Sequence, residues 1–163
     1  MSIDAYKLKT FIIEPTLGEL ALSSPSAVNL LLGTAAQESH MFKYVRQMGF
    51  NNLDGSGAFG GYQHELDTAE DDINNFLLYR KELAFKVHPD IFNMSRYELG
   101  CALIGDPFFA TAMCRIHYLR APETLPDADD IEGLAKYWKQ YYNTEKGKGT
   151  EKDFISNYRR YVK

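Results

Sequence analysis

Apolar residues recur at three- and four-residue intervals along most of the chain, and no segment shows a sustained period-two alternation. This pattern predicts a mainly α protein of about seven helices. A first helix is expected over residues 4–13, ended by Pro15, with a connector over 16–24. Ser24-Pro25 is a strong start signal, a capping hydroxyl followed by proline at the first helical position. The helix it opens should run through Ala27, Leu30, Leu31, Thr34 and Ala35 to about Glu38. Its small run Gly33-Thr34-Ala35-Ala36 invites a second backbone to pack closely. One or two further helical turns are expected over 40–48, carrying Met41, Tyr44 and Val45. The glycine-rich stretch 49–61 then reads as a loop or a small β-hairpin.

The clearest helix is predicted over 68–87, on the stripe Ile73, Phe76, Leu77, Arg80, Leu83, Ala84 and Val87. Thr68 and Asp71 resemble a capping box at its start, and His88-Pro89 ends it. Ser95 should cap a short helix reaching Ile104, and Asp106-Pro107 opens another that reaches about Arg120. Further helices are expected over 130–142 and from Thr150 to about Val162. At 163 residues the whole reads as one domain with a real core.

Composition narrows the function. Hydrophobic residues at 45% and charged residues at 25% are ordinary globular usage. The 11 Tyr and 10 Phe suit either a core with tyrosines at its rim or a groove lined with rings, and composition alone favours the first. A net charge of −4 argues against a nucleic-acid partner, which needs a basic stripe. Cys101 and Cys114 read as two reduced thiols on helices. There is no CxxC and the four His are scattered, so neither a metal nor a cofactor is expected. The acids Glu70-Asp71-Asp72 fall in the first turn of a predicted helix and read as charge favourable to its dipole. The N-terminal residues lack signal-peptide architecture, and no stretch approaches membrane-spanning length. The expectation is a protein made in the cytoplasm without membrane insertion.

The chemistry concentrates in Gly33–Glu65. Glu38 should lie near a helix C-terminus, where the dipole and unpaired carbonyls disfavour a carboxylate, and partial burial would raise its pKa further. A glutamic acid that keeps its proton near neutral pH is a general acid. The following glycines remove side chains that would block a ligand, and Gln63 can both donate to and accept from sugar hydroxyls and acetamido groups.

Glu38-Ser39, then Gly57-Ala58-Phe59-Gly60-Gly61-Tyr62-Gln63, then Tyr142-Asn143 resembles the motif series of the lysozyme-like lytic transglycosylases. The wider pattern, with GTAAQES, GAFGGYQ and YWKQYYNTEKGKGT, is similar to bacteriophage proteins of that kind and spans roughly 30–154. The resemblance implies a lysozyme-like fold with Glu38 as catalytic acid and Ser39 steadying the acid or the substrate. It implies that Gly60, Tyr62 and Gln63 form the groove floor, with Tyr142 and Asn143 near the acid. One departure is Gly61-Tyr62 where the family has Leu-Met, so subsite contacts are expected to differ.

The implied activity is cleavage of the β-1,4 bond between N-acetylmuramic acid and N-acetylglucosamine. The implied partners are peptidoglycan strands and, for a particle-borne lysin, phage tail or baseplate proteins. The site of action would be the periplasmic cell wall. Asp54 is a candidate second carboxylate for a hydrolytic muramidase, although a turn residue before Gly55 is the reading its neighbours favour. A virion structural protein with the same fold, and a chitinase- or chitosanase-like enzyme, are the competing readings.

Overall fold

A computed structural model describes residues 3–162 except 48, 50, 51 and 54. The chain is mainly helical, with one two-stranded antiparallel sheet. It opens with α1 (Ala5–Leu8), a π turn over Lys9–Ile13 and α2 (Glu14–Glu19), which form one continuous helical run. Pro15 therefore does not end the first helix. Proline clashes with a regular preceding turn, and the wider π turn just upstream gives its ring room.

Helix α3 (Pro25–Ser39) starts as the sequence predicts, with the Ser24 hydroxyl accepting from the Ala27 amide at 3.1 Å. It is buried on nearly every side, as a central core helix must be. Gly33 makes room for a ring rather than a backbone: a Cβ there would meet Phe154 Cζ at 2.2 Å. After α3, His40, Met41 and Phe42 all take positive φ, so the chain reverses and no further helical turns follow over the described part of 40–48.

Strand β1 (Ala58–Phe59) pairs with β2 (His64–Glu65), and Arg46 bridges to Phe59 on the other side. The hairpin thus sits later than expected, with Gly60–Gln63 as its turn. Gly60 and Gln63 both adopt positive φ there.

The predicted helix 68–87 is broken. Helix α4 (Leu66–Asn75) ends at Phe76, a 3-10 turn covers Leu77–Tyr79, and α5 (Lys81–Val87) follows. Thr68 lies inside α4 and caps nothing; Glu65 holds the N-cap position. The break leaves Leu78 and Tyr79 exposed while Leu77 and Ala84 still reach the same core.

Helix α6 (Arg96–Gly105) carries the capping box of Ser95 and Glu98, and α7 (Pro107–Leu119) is capped by Asp106. Helix α8 (Ile131–Trp138) continues into a π turn over Lys139–Asn143, and α9 (Glu151–Tyr161) opens on a Thr150–Asp153 capping box. Cys101 and Cys114 lie on α6 and α7 as free thiols.

Two hydrophobic clusters form. One gathers the N-terminal run, α3, α8 and α9; the other gathers β1 and α4 to α6. Helix α7 belongs to both. Ala110, Cys114 and Tyr118 recur every fourth residue and face the first cluster, while Phe109, Met113 and Ile116 face the second. Among the described residues no single helix is long and apolar enough to cross a membrane.

Candidate functional site

A cavity of about 520 Å³ is lined by the end of α3, the hairpin, α7 and the turn after α8. Glu38 reaches it from the last turn of α3, and Tyr142 and Asn143 from the π turn after α8. The hairpin and α7 add Gln63, His64, Glu65 and His117. Residues far apart in sequence, Glu38, Gln63 and the Tyr142-Asn143 pair, therefore line one pocket.

Glu38 is half-buried, and burial pushes its carboxyl up from 4.5 to about 7. Trp138 Nε1 donates to Glu38 Oε1 at 2.8 Å and opposes part of that rise. Trp138 is fully buried on α8 and packs on Phe154, so the donor is held in place. The sequence reading missed this partner. Its signal was present: a lone Trp, whose indole N–H can only donate, in the motif that holds Tyr142-Asn143.

The remaining motif residues divide by depth. Tyr142 donates its hydroxyl to the Tyr62 carbonyl at 2.8 Å and stacks on Tyr118. The Asn143 side-chain oxygen accepts from Lys139 Nζ at 2.7 Å, and the same ammonium reaches the Gly147 carbonyl at 3.0 Å, which closes the following loop. Gln63 donates from Nε2 to the carbonyls of Gly60 and Tyr44. Its side-chain oxygen makes no hydrogen bond among the described residues.

Gly60 and Tyr62, expected as groove floor in contact with substrate, and Ser39, expected to steady the acid or the substrate, are all buried and absent from the pocket lining. Ser39 Oγ lies 2.5 Å from the Gly61 carbonyl oxygen, to which it donates, and accepts from the Phe42 amide at 2.8 Å. It thereby ties the acid's helix to the hairpin turn. The Tyr62 hydroxyl pairs with Thr111 at 3.1 Å inside the core. Gly60 and Gly61 serve the protein's own packing rather than a ligand. A Cβ on Gly60 would meet the Leu103 carbonyl oxygen at 2.1 Å, and one on Gly61 would meet the Phe42 ring at 2.3 Å. Asp54 lies outside the described residues. Among those described, Glu65 is the carboxylate that shares the pocket lining with Glu38.

The acids at the start of α4 also differ from expectation. Glu70 pairs with Arg96 and Asp71 with Arg120, both near the surface, but Asp72 has no exposed surface at all. It faces inward to His64 on β2, His117 on α7 and Arg120. Burial lowers the His64 pKa below its ordinary value against the pull of Asp72. Two of the scattered histidines thus meet on one carboxylate, a grouping that chain spacing does not reveal.

No protein-family model, curated protein or solved structure matches the chain.

Proposed function

We propose that this chain cleaves the β-1,4 bond between N-acetylmuramic acid and N-acetylglucosamine in peptidoglycan, as the lysozyme-like lytic transglycosylases it resembles do. The observation that carries the reading is Glu38: a half-buried carboxyl with a pKa raised to about 7, lining a pocket with Gln63, Tyr142 and Asn143. A proton donor needs that poise at neutral pH.

The geometry favours one oxygen for the proton. Trp138 occupies Oε1, so the proton resides on Oε2, which delivers it to the glycosidic oxygen as the bond to C1 breaks. The resulting carboxylate then takes the proton of the sugar's own 6-hydroxyl as that oxygen bonds to C1. This regenerates the acid and leaves a 1,6-anhydro end. The side-chain oxygen of Gln63 and the side-chain nitrogen of Asn143, both left over from the protein's own hydrogen bonds, supply hydrogen bonds to the glycan, and Tyr142 supplies a ring edge. The lysozyme-like fold, the periplasmic wall as the site of action and docking on a phage particle belong to the same proposal.

A second reading is favoured by Glu65. A second carboxylate in the pocket lining allows a water to replace the 6-hydroxyl, giving hydrolysis. Digestion of purified peptidoglycan, with products read by mass spectrometry, separates the two. Anhydro-muramic ends support the first reading, and reducing ends support the second. No soluble product at any enzyme level would overturn both and favour a purely structural role.

Trp138 offers a narrower test. Its hydrogen bond lowers the Glu38 pKa, so Trp138→Phe is expected to raise that pKa further and to move the alkaline limb of the activity profile upward. An unchanged or downward-shifted limb would show that the indole does not set the acid's titration.

A further inference from the structure

The cluster of His64, Asp72 and His117 is not used by the acid chemistry at Glu38, and its hydrogen bonding is unusual. His64 is 3% exposed and Asp72 is 0% exposed. His64 Nε2 lies 3.3 Å from Asp72 Oδ2, and His117 Nδ1 lies 3.1 Å from the same oxygen. All three ligand atoms fall within 4.8 Å of one another.

The far sides of the two rings fix their tautomers. His117 Nε2 is 3.0 Å from the Tyr141 carbonyl oxygen, which can only accept, so that nitrogen carries the hydrogen. His64 Nδ1 is 3.4 Å from the Tyr142 hydroxyl. That hydroxyl gives its one hydrogen to the Tyr62 carbonyl at 2.8 Å, so it accepts from His64 Nδ1. In the neutral rings this leaves lone pairs on His64 Nε2 and His117 Nδ1, and both face the Asp72 carboxylate. His64 Nε2 has no hydrogen-bond partner among the described residues despite its nearness to Oδ2. His117 Nδ1 lies within hydrogen-bond distance of both Asp72 oxygens, at 3.2 and 3.1 Å, so nitrogen and oxygen donors from β2, α4 and α7 converge on one point.

We propose that His64 Nε2, His117 Nδ1 and Asp72 Oδ2 form a binding site for a divalent transition-metal ion of the zinc type. Bonds of about 2.0–2.1 Å at a tetrahedral ion separate neighbouring ligand atoms by roughly 3.3 Å. The observed 3.3 and 3.1 Å are close to that spacing. Two imidazoles and one carboxylate are donors suited to zinc and its neighbours rather than to calcium or magnesium. The outer partners fit as well. Each imidazole donates its second N–H, one to Tyr141 and one to Tyr142, and Arg120 holds Asp72 through Oδ1 at 2.6 Å while leaving Oδ2 to the ion. Asp71 offsets the charge that Arg120 brings. Both imidazoles line the pocket, so water from it completes the coordination. A bound ion would clamp β2, α4 and α7 together beside the pocket that Glu38 also lines.

The test uses the full chain, stripped with a chelator and then given Zn²⁺ or Co²⁺. Expected results are one retained equivalent by elemental analysis, a visible Co²⁺ absorption of a low-symmetry site and a higher melting temperature. His64→Gln should weaken binding by at least about tenfold and abolish the Co²⁺ band, while His88→Gln should change neither. Equal metal retention by wild type and His64→Gln, or no retention above background, would overturn the site. Should His64→Gln fail to fold, imidazole NMR of the wild type decides. Zinc should shift the His64 and His117 resonances and spare His40 and His88, and the reverse pattern would overturn the assignment. None of these readouts involves glycan cleavage, so they stand or fall separately from the role of Glu38.

Discussion

Glu38→Gln is expected to lower the rate of peptidoglycan cleavage by roughly 10²–10⁴-fold, the usual contribution of a positioned general acid. Glutamine keeps the shape of the side chain and can still accept from Trp138, so pocket geometry should survive while the transferable proton is lost. Wild-type activity should be highest below the acid's pKa and fall as pH rises through about 7. The same shift has a consequence for stability. A carboxyl whose pKa is 4.5 when unfolded and about 7 when folded holds its proton only in the folded state between those values. The folded state then binds more protons than the unfolded one, so stability falls as pH rises across that window. The full cost above it is about 3 kcal/mol. Glu38→Gln removes the titration and should therefore be more stable than wild type at pH 8, with the two proteins converging near pH 4. Urea unfolding at both pH values checks this. A variant that retains wild-type rate, or that shows no stability gain at pH 8, would take Glu38 out of the acid's role.

The second large effect is expected at Gly60. This residue has a φ of 74° in the hairpin turn, and an added Cβ would sit 2.1 Å from the backbone oxygen of Leu103. Gly60→Ala carries a left-handed penalty of about 1–2 kcal/mol and an overpacking cost of about 1–3 kcal/mol. A loss of roughly 2–5 kcal/mol in urea unfolding follows. The Gly60 carbonyl also anchors the Gln63 side chain, so the backbone shift should displace that amide and weaken activity as well. Gly18→Ala is the contrasting case. Its Cβ would meet nothing within 4 Å and the position is helical, so a gain of about 0.5–1 kcal/mol is expected. Similar stability for Gly60→Ala and wild type would mean that the turn can relax away from α6.

Both predictions concern a stretch that was prominent in the sequence, and the reasons it was only partly legible are physical. Helix starts are local events, and Ser24, Ser95, Asp106 and Thr150 all cap where their side chains predict. Glu38 was legible because a carboxylate at a helix end followed by a glycine-rich loop is an uncommon local combination. The places of Gly60 and Tyr62 were only partly legible because the same residue types serve a ligand or the protein's own packing, and only the neighbours Leu103 and Thr111 show the packing. Pro15 misled because a π turn absorbs its ring, and that turn has no local signature. The Asp72 cluster was invisible for another reason: His117 lies 45 residues from its carboxylate, and nothing in either segment announces the other.

Helix α7 packs into both hydrophobic clusters, and it carries His117 into the lining of the pocket. The two halves of the core therefore share one spine. Opening them would pull a ridge of α7 out of one close-packed core, a far greater cost than bending a linker. The slot is in this respect a fixed gauge. Under the proposed activity, a sugar chain would meet a pocket whose His117 side is set by α7 rather than one that closes around it.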